Sequence, residues 1–388
     1  MKQLVLVGAG HAHAQILNAW RRDPVSGVAL TLVSPDAVAP YSGMVPGWLA
    51  GHYRFDEIGI DFAALCTAAG CRWIAAGVNA VDPARQQVAL TTGGMLNYDL
   101  LSLNIGATLA PPPAGPGTLL ALRPLTQLRA AWEGALARLA TIDRRGPLTV
   151  TAVGGGAAGV ESLLAAMARL RALRPTNTIR GRLVTRGELL PGFARQARAA
   201  AAAALDAADV QVQTDATWPD QQANLGEPTS SDLTLWATGA VPQGWQRDPQ
   251  RRGGIAADAA GFIRIDRHLR SISHAQVFAV GDCAAWETPL PKSGVYAVRM
   301  GPVLLHNLRA ALQGRTLARY APQARSLALL ATGDRRAIAS YGPLAGRSSM
   351  GWRWKDWIDR RFVARFRIGA TRPDLNTVSK QPVKESKS

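Results

Sequence analysis

The chain is poor in cysteine and contains no long uninterrupted apolar run. Its three cysteines, Cys66, Cys71 and Cys283, form no CxxC pair and no metal-ligand pattern, which argues against a dithiol redox centre and a zinc site. No apolar stretch is long enough to span a bilayer. The first apolar strand begins near Leu4, which leaves no room for a signal peptide. We therefore expect a cytoplasmic protein, or a peripheral one on the cytoplasmic face of the inner membrane.

Acidic residues are also scarce. The chain has 27 aspartates and glutamates and 44 lysines and arginines, which gives a formal net charge of +17. This surplus favours anionic partners but does not distinguish nucleotides, nucleic acid and acidic lipid. The length of 388 residues is sufficient for two or three domains with substantial cores. A hydrophobic content of 47% and 38 glycines are typical of a folded α/β protein rather than a disordered chain.

Two glycine-rich segments each follow a short apolar run. The first contains Gly8 and Gly10 after residues 4–7, and the second begins at Gly154 after residues 148–153. A helix-like stretch follows in both. This is how a βαβ unit presents backbone N–H groups and a helix N-terminus to a pyrophosphate. Two such segments in one chain predict two dinucleotide sites and electron transfer between them.

Further motifs follow in an informative order. Residues 101–107 and 233–240 are similar, because each is a predicted strand that runs into a glycine turn. The proline-rich residues 110–117 are a predicted linker. A very apolar strand at residues 276–280 ends in a Gly-Asp pair at Asp282. The sequence therefore predicts an α/β fold with two Rossmann-like dinucleotide-binding domains and a C-terminal basic segment.

The order of these motifs resembles that of FAD/NAD(P)-dependent pyridine nucleotide-disulfide oxidoreductase-like flavoproteins. Within them, the chain resembles the type II NADH dehydrogenase and sulfide:quinone oxidoreductase branch. It is also similar to the flavoprotein module fused to some selenide, water dikinases. The resemblance to this module rests on residues 10–13, 41–47, 101–106 and 291–299. The resemblance covers about residues 3–366.

The resemblance implies a division of the chain. Residues 1–115 and 256–325 form an FAD-binding domain in two parts, and residues 116–255 form the NAD(P)-binding domain between them. Residues 326–388 form a C-terminal basic and aromatic segment with a disordered tail.

The resemblance also implies that the first glycine fingerprint holds FAD. Gly8 and Gly10 let the backbone approach the pyrophosphate, and Asp282 hydrogen-bonds the ribityl chain. The helix after Ser293 directs its N-terminal dipole at the N1–C2=O edge of the flavin. The expected FAD-site residues are Gly8, Gly10, His11, Ser34, Met44, Gly106, Asp282 and Val295.

Two positions depart from the usual FAD fingerprint. His13 replaces its third glycine, where close packing of helix on strand normally requires a small residue. No acid lies directly at the end of the second predicted strand, so Asp36 or, more weakly, Ser34 is left to take the adenosine ribose hydroxyls. His11 and His13 lack a third ligand nearby, and we expect no metal site.

The second fingerprint is implied to hold the nicotinamide nucleotide as co-substrate. Its expected residues are Gly154, Gly156, Gly159, Glu161, Arg186 and Gly239. An acid after the following strand would select NAD, whereas Arg186 stands there and can accommodate a 2′-phosphate. Both nucleotides remain open, and so does an unused second site, because a fold alone does not determine function.

The C-terminal segment, residues 347–372, is rich in arginine and aromatic residues. Trp354, Ile358, Phe362 and Phe366 are four positions apart and are predicted to share one helical face. A basic helix of this kind can lie on acidic lipid. The alternative is a helix that packs on the FAD-binding domain and leaves its arginines in solvent.

The expected function is that of an FAD-dependent oxidoreductase that takes hydride from NAD(P)H and passes electrons to a second acceptor, with quinone as the first choice. Met300 stands near the position of the glutamine that quinone-reducing dehydrogenases carry. A two-cysteine sulfide mechanism is disfavoured, since no cysteine lies between Cys71 and Cys283.

Two other functions remain open at this point. One is a redox step in selenium or sulfur metabolism. The other is a non-catalytic flavin-dependent protein that binds nucleic acid or a protein through its basic surface. The leading hypothesis requires no nucleic acid partner.

Overall fold

The computed structural model describes residues 1–112, 117–141, 146–218, 231–323 and 325–369. The predicted disordered tail and the middle of the predicted linker lie outside these ranges. The elements of the first range are β1 (Lys2–Val7), α1 (His11–Trp20), β2 (Val28–Val33), β3 (Val38–Pro40), α2 (Val45–Leu49), α3 (Phe55–Ile58), β4 (Gly59–Asp61), α4 (Phe62–Ala68), β5 (Arg72–Ile74), β6 (Val78–Asp82), β7 (Gln87–Leu90), β8 (Met95–Asn97), β9 (Leu100–Leu103) and β10 (Thr108–Leu109).

The remaining elements follow in two groups. Those of the middle of the chain are β11 (Thr118–Ala121), α5 (Leu125–Thr141), β12 (Leu148–Val153), α6 (Ala157–Leu173), β13 (Ile179–Val184), α7 (Arg195–Asp206), β14 (Val210–Gln213), β15 (Leu233–Trp236), β16 (Ala240–Val241) and α8 (Gly244–Arg247). Those of the last part are β17 (Ile263–Arg264), β18 (Val277–Ala279), β19 (Ala284–Ala285), α9 (Gly294–Leu312), β20 (Ala328–Ala331), β21 (Ala337–Tyr341), β22 (Leu344–Ser348) and α10 (Ser349–Ala364).

The first sheet has five parallel strands in the order β18-β9-β1-β2-β5. Leu4, Val5, Leu6 and Val7 of β1 are all buried. Both faces of the sheet are therefore covered, which explains a continuous apolar run instead of an alternating one. Helices α1 and α9 pack against each other and belong to the same hydrophobic core.

The second sheet repeats this plan with parallel strands in the order β11-β15-β12-β13-β14. Helix α6 packs on β12 and β13. It lies so close that a Cβ on Gly181 would be 2.5 Å from the sulfur of Met167. In both sheets the strand before the glycine turn is the central one. The predicted α/β fold with two Rossmann-like units is confirmed.

The two sheets differ in the origin of one edge strand. In the second sheet, the edge strand β11 comes shortly before the other strands of that sheet in the chain. In the first sheet, β18 follows the whole second sheet and returns to pair with β9, with Val277 opposite Leu101. The first sheet is thus completed late in the chain.

Among the smaller sheets of the described residues, β6-β7-β8 and β20-β21-β22 are three-stranded and antiparallel. The sequence predicts only a basic and aromatic segment where the second of these lies, because short strands such as Leu344–Ser348 show no clear apolar alternation. Across the ranges described above, no helix combines the length and apolarity needed to cross a bilayer.

Helix α10 packs on β20 and β21. The buried residues of this helix include Trp352, Lys355, Asp359, Phe362 and Val363. Phe366 is buried as well, whereas Trp354 is 47% exposed. The prediction that Trp354, Ile358, Phe362 and Phe366 share one face is therefore wrong. A spacing of four residues advances about 40° beyond a full turn, so the row rotates from solvent into the core.

Candidate active site

A cavity of about 720 Å³ opens at the carboxyl ends of the first sheet. Its lining comes from the ends of β1, β2 and β9, from the start of α9, and from the first turns of α6. Ligands of parallel α/β sheets bind at this edge, where strand ends and helix N-termini converge. Of the residues predicted from the sequence, the cavity brings together Gly8, Gly10, His11, Ser34, Gly106, Glu161, Asp282 and Val295.

Asn104, at the end of β9, holds the first fingerprint in place. Its Oδ1 accepts a hydrogen bond from the Ala12 N–H at 3.0 Å, and its Nδ2 donates to the Val280 carbonyl at 3.1 Å. A Cβ on Gly10 would collide with this side chain, and one on Gly8 would lie 2.5 Å from the Asn104 carbonyl oxygen. Glycine is needed at both positions, because the Asn104 side chain fills the space beside Gly10 and the Asn104 backbone fills the space beside Gly8.

His13 occupies the place of the third glycine and is completely buried. Its Nδ1 lies 2.7 Å from the Gly8 carbonyl oxygen, and its Nε2 lies 2.9 Å from Ser102 Oγ. Burial lowers the pKa of His13 to about 4. The neutral ring offers one donor and one acceptor at pH 7. His13 therefore fixes the glycine turn to β9, which explains how the fingerprint tolerates a large residue here.

The end of β2 contributes Ser34 to the cavity. Asp36 does not belong to the described lining, and its carbonyl accepts a hydrogen bond from Ser34 Oγ at 3.2 Å. Of the two alternatives for the ribose hydroxyls, this geometry favours Ser34. Met44 also lies outside the described lining. It is buried in the core that includes α2 and α6, so its side chain does not support the FAD-site assignment.

Asp282 reaches the cavity from the turn after β18. Its carboxylate forms an ion pair with Arg123, with 2.8 Å between Nη1 and Oδ2. Lys292 also lines the cavity, and burial lowers the pKa of this lysine. Ser293 does not cap α9 with its side chain, and Val295 in the first turn lines the cavity. Sequence reasoning missed Arg123, which belongs to no motif, and passed over Lys292 inside a matched segment.

The second fingerprint forms a tight turn at the end of β12. Gly154 has a φ of +119°, and a Cβ on Gly159 would collide with its carbonyl oxygen. The Gly154 N–H donates to the Val184 carbonyl at 2.8 Å. The described cavity lining does not include Gly154, Gly156, Gly159, Arg186 and Gly239, so most of this fingerprint lies outside the cavity. Gly239 is exposed and would leave a Cβ in open space.

Glu161 stands apart from the rest of that fingerprint because it lines the cavity. Its Oε1 accepts a hydrogen bond from the Ala331 N–H of β20 at 2.7 Å. Burial raises the pKa of Glu161 to about 7, and the charge of Lys355 opposes this rise. Lys355 donates to the Asp359 carboxylate at 2.7 Å and to the Gly43 carbonyl at 2.5 Å. A carboxyl group with a raised pKa thus lies between the cavity and α10.

The two histidines of the first fingerprint have different surroundings. The ring centroid of His11 lies 5.1 Å from that of Tyr41 and 6.2 Å from that of Phe362 on α10. Burial lowers the pKa of His11 to about 4. His13 instead lies within hydrogen-bond distance of the Gly8 carbonyl oxygen and of Ser102 Oγ. In the part of the chain that the structure describes, no group of three or more His, Cys, Asp or Glu residues could hold a metal ion.

These residues fit a bound FAD. The glycine turn leaves no room for a Cβ, Ser34 is available at the end of β2, and the uncapped start of α9 faces the same cavity as Asp282. Backbone N–H groups at a helix N-terminus favour a pyrophosphate and other negative charge. The cavity volume also lies within the range of cofactor sites.

Comparison with known proteins also indicates a nucleotide-dependent oxidoreductase. A family model described as pyridine nucleotide-disulphide oxidoreductase matches residues 2–301. The sulfide:quinone oxidoreductase from the hyperthermophilic bacterium Aquifex aeolicus is 16% identical, with 94% of this chain and 91% of that chain covered and a TM-score of 0.75. NDH2 from Plasmodium falciparum in complex with NADH is 14% identical, with 94% and 97% covered and a TM-score of 0.76.

A third solved structure has the same fold. NADH:rubredoxin oxidoreductase from Clostridium acetobutylicum is 17% identical, with 88% of this chain and 82% of that chain covered and a TM-score of 0.64. At such low identities the three likenesses establish the fold and leave the electron acceptor open.

Proposed function

Because the chain belongs to the pyridine nucleotide-disulphide oxidoreductase family, it is an NAD(P)H-dependent flavin oxidoreductase with FAD as cofactor, and we propose that it passes the electrons to a quinone at an acidic membrane surface. When bound, FAD supplies the chemistry of accepting a hydride and releasing its two electrons. The acceptor is the part of this function that has to be inferred.

The chain's own residues orient the reactants and balance charge. The N-terminus of α9 directs the positive end of its dipole at the cavity, where Arg123 and Lys292 add positive charge around Asp282. These groups stabilise negative charge that develops in the cavity. Glu161, with a pKa near 7, can hold or release a proton at its carboxyl group near neutral pH.

The observation that carries the membrane proposal is the outer face of α10. Met350 is 77%, Trp354 47% and Trp357 58% exposed, and their spacing of four and three residues places them on one side of the helix. The arginines exposed on α10 and the turn after it are Arg353, Arg360, Arg361, Arg365 and Arg367. Exposed tryptophans flanked by arginines suit the interface of an anionic bilayer.

The inner face of the same helix leads to the cavity. Lys355 reaches the Gly43 carbonyl, and Gly43 lines the cavity. Phe362 packs against Tyr41, with ring centroids 4.7 Å apart, and Tyr41 lines the cavity as well. An acceptor dissolved in the bilayer would therefore meet the protein on the element that borders its reaction site.

The cysteines do not favour sulfide as the second substrate. All three are buried, and Cys283, the one that follows Asp282, lies outside the described cavity lining. Burial raises the pKa of Cys283 to about 11, so its thiol is protonated at neutral pH. A protonated, enclosed thiol is a poor nucleophile for sulfur transfer.

The acceptor is tested by anaerobic turnover of the FAD-loaded protein with NADH or NADPH and a short-chain ubiquinone or menaquinone analogue. We expect multiple turnovers of nucleotide oxidation that depend on the quinone. Flavin that is bleached by the nucleotide but is not reoxidised by either quinone would overturn the quinone proposal and leave the nucleotide half-reaction intact.

The membrane surface is tested by sedimentation with phosphatidylglycerol-containing vesicles. The double variant Trp354→Ser/Trp357→Ser should bind about tenfold more weakly, because two large apolar side chains no longer enter the interface. Met95→Ser is the matched control, since Met95 on β8 is 53% exposed and far from α10 in the sequence. Equal pelleting of all three proteins would contradict the role of this face.

A further inference from the structure

The end of β13 is the place where a Rossmann unit reads the adenosine ribose of its nucleotide. Thr185 directly follows β13, and its backbone continues the pairing with β14 through a 2.9 Å hydrogen bond from its N–H to the Gln213 carbonyl. An ideal Cβ on Gly155 would lie 2.8 Å from Thr185 Oγ1. This threonine therefore lies directly against the glycine turn that receives the pyrophosphate.

A site that prefers NADH has a carboxylate here, which accepts hydrogen bonds from the 2′- and 3′-hydroxyls. Thr185 is more than nine-tenths buried and carries a hydroxyl in place of a carboxylate. The next acid in the chain, Glu188, forms an ion pair with Arg198 of α7. Its charge is thus already balanced by a neighbour.

Arg186 follows Thr185 and is exposed. In the ranges that the structure describes, no carboxylate lies within ion-pair distance of its guanidinium. Asp215, after the neighbouring strand β14, is also exposed and forms no ion pair with it. With Glu188 and Arg198 paired with each other, the guanidinium of Arg186 is exposed at this edge and is in contact with no carboxylate of the described residues.

We propose that Arg186 makes the second nucleotide site select NADPH over NADH. A 2′-phosphate carries negative charge and several acceptor oxygens, which match a guanidinium and not a carboxylate. The proposal depends on the use of NAD(P)H by this family and on no property of the electron acceptor. A single residue beside the second fingerprint would thus determine which nucleotide the protein prefers.

The test is anaerobic stopped-flow reduction of the FAD-loaded protein by NADPH and by NADH, without quinone or lipid. The wild-type protein should react more efficiently with NADPH. Arg186→Ala should lose about 10- to 100-fold in efficiency with NADPH, as expected for charge-assisted hydrogen bonds to phosphate, and change about twofold or less with NADH. The double variant Thr185→Asp/Arg186→Ala should prefer NADH, because it places a carboxylate at the strand end and removes the guanidinium.

Arg180→Ala is the matched control, because Arg180 is exposed near the opposite end of the same strand and its loss changes the net charge equally. A second readout is the binding of adenosine 2′,5′-bisphosphate against that of ADP, which does not require flavin reduction. Wild type and Arg180→Ala should favour the bisphosphate, and Arg186→Ala should not. Equal use of both nucleotides by wild type, or equal loss with both in Arg186→Ala, would overturn the proposal.

Discussion

Gly10 and Gly156 occupy the same place in the two fingerprints, directly before α1 and α6. A Cβ on Gly10 would collide with Asn104, whereas one on Gly156 would meet nothing within 4 Å. We expect Gly10→Ala to destabilise the protein by about 1–3 kcal/mol, the usual cost of overpacking, and to lower the FAD content of the purified protein. Gly156→Ala should retain its FAD. Flavin absorbance per protein and thermal melting measure both effects, and equal FAD content in the two variants would contradict the role of Asn104.

Glu161 should make stability depend on pH in a defined direction. Its pKa is about 7 in the folded protein against an ordinary value of 4.5. Between these values the folded protein holds a proton that the unfolded chain has released. Stability therefore falls as pH rises through this window, by at most about 1.4 kcal/mol per pH unit, and this contribution is constant above it.

The variant Glu161→Gln removes this titration, while its amide oxygen can still accept the Ala331 N–H. We expect its stability relative to wild type to increase as the pH rises from about 5 to about 7. Urea denaturation at several pH values measures the difference. A difference that does not change with pH would show that Glu161 ionises in its ordinary range.

At the scale of elements, α10 depends on the pair Lys355–Asp359, whose side chains are each only 8% exposed. Removal of one partner leaves the other charge buried, which typically costs about 3–5 kcal/mol. We expect Lys355→Met to lower the urea midpoint strongly. The double variant Lys355→Met/Asp359→Leu should recover most of the loss, because an apolar pair requires no ionic partner. A double variant as unstable as the single one would show that the pair is needed for its geometry.

The positions of helices next to glycine motifs could be predicted from the sequence. Helix α9 begins at Gly294, close to the predicted start near Ser293, because the backbone preferences of neighbouring residues act locally at a helix end. The orientation of α10 could not be predicted from the sequence, because it depends on which of its residues contact β20 and β21. The contact between Lys355 and Gly43 joins positions 312 apart and leaves no local pattern.

In the candidate site, too, residues within a local motif could be predicted from the sequence, and residues brought in by distant contacts could not. The spacing of the glycines predicted both fingerprints and the cavity residues that follow directly from them. Arg123 enters the site only because β11 places it opposite Asp282, 159 positions away. The tolerance of His13 likewise depends on Ser102, which lies on a strand that the first fingerprint does not contain.

At the scale of the whole molecule, FAD should stabilise the two large sheets unequally. The cavity takes most of its lining from the first sheet and its helices, and a smaller part from residues 122–127 and the start of α6 beside the second sheet. Free FAD at 100 times its Kd adds about 2.7 kcal/mol to the folded state. We expect hydrogen exchange to slow on FAD addition at the start of α1 and of α9, with little change at the edge strand β14.

Mass-spectrometric hydrogen exchange of deflavinated and reconstituted protein measures this pattern. Subsequent addition of the preferred nicotinamide nucleotide should slow exchange in the turn after β13. The same slowing at β14 as at α1 on FAD addition would show that both sheets respond as one unit.

The late position of β18 has a consequence for protein synthesis. The strands of the second sheet lie between residues 118 and 236 of the chain and can pair as soon as that stretch has left the ribosome. The first sheet, although it begins at residue 2, lacks an edge strand until residues 277–279 emerge. Domains usually fold in the order of their synthesis. Here we expect the reverse order, with β9 exposed as an open edge until β18 has emerged, which makes that interval the one most prone to aggregation.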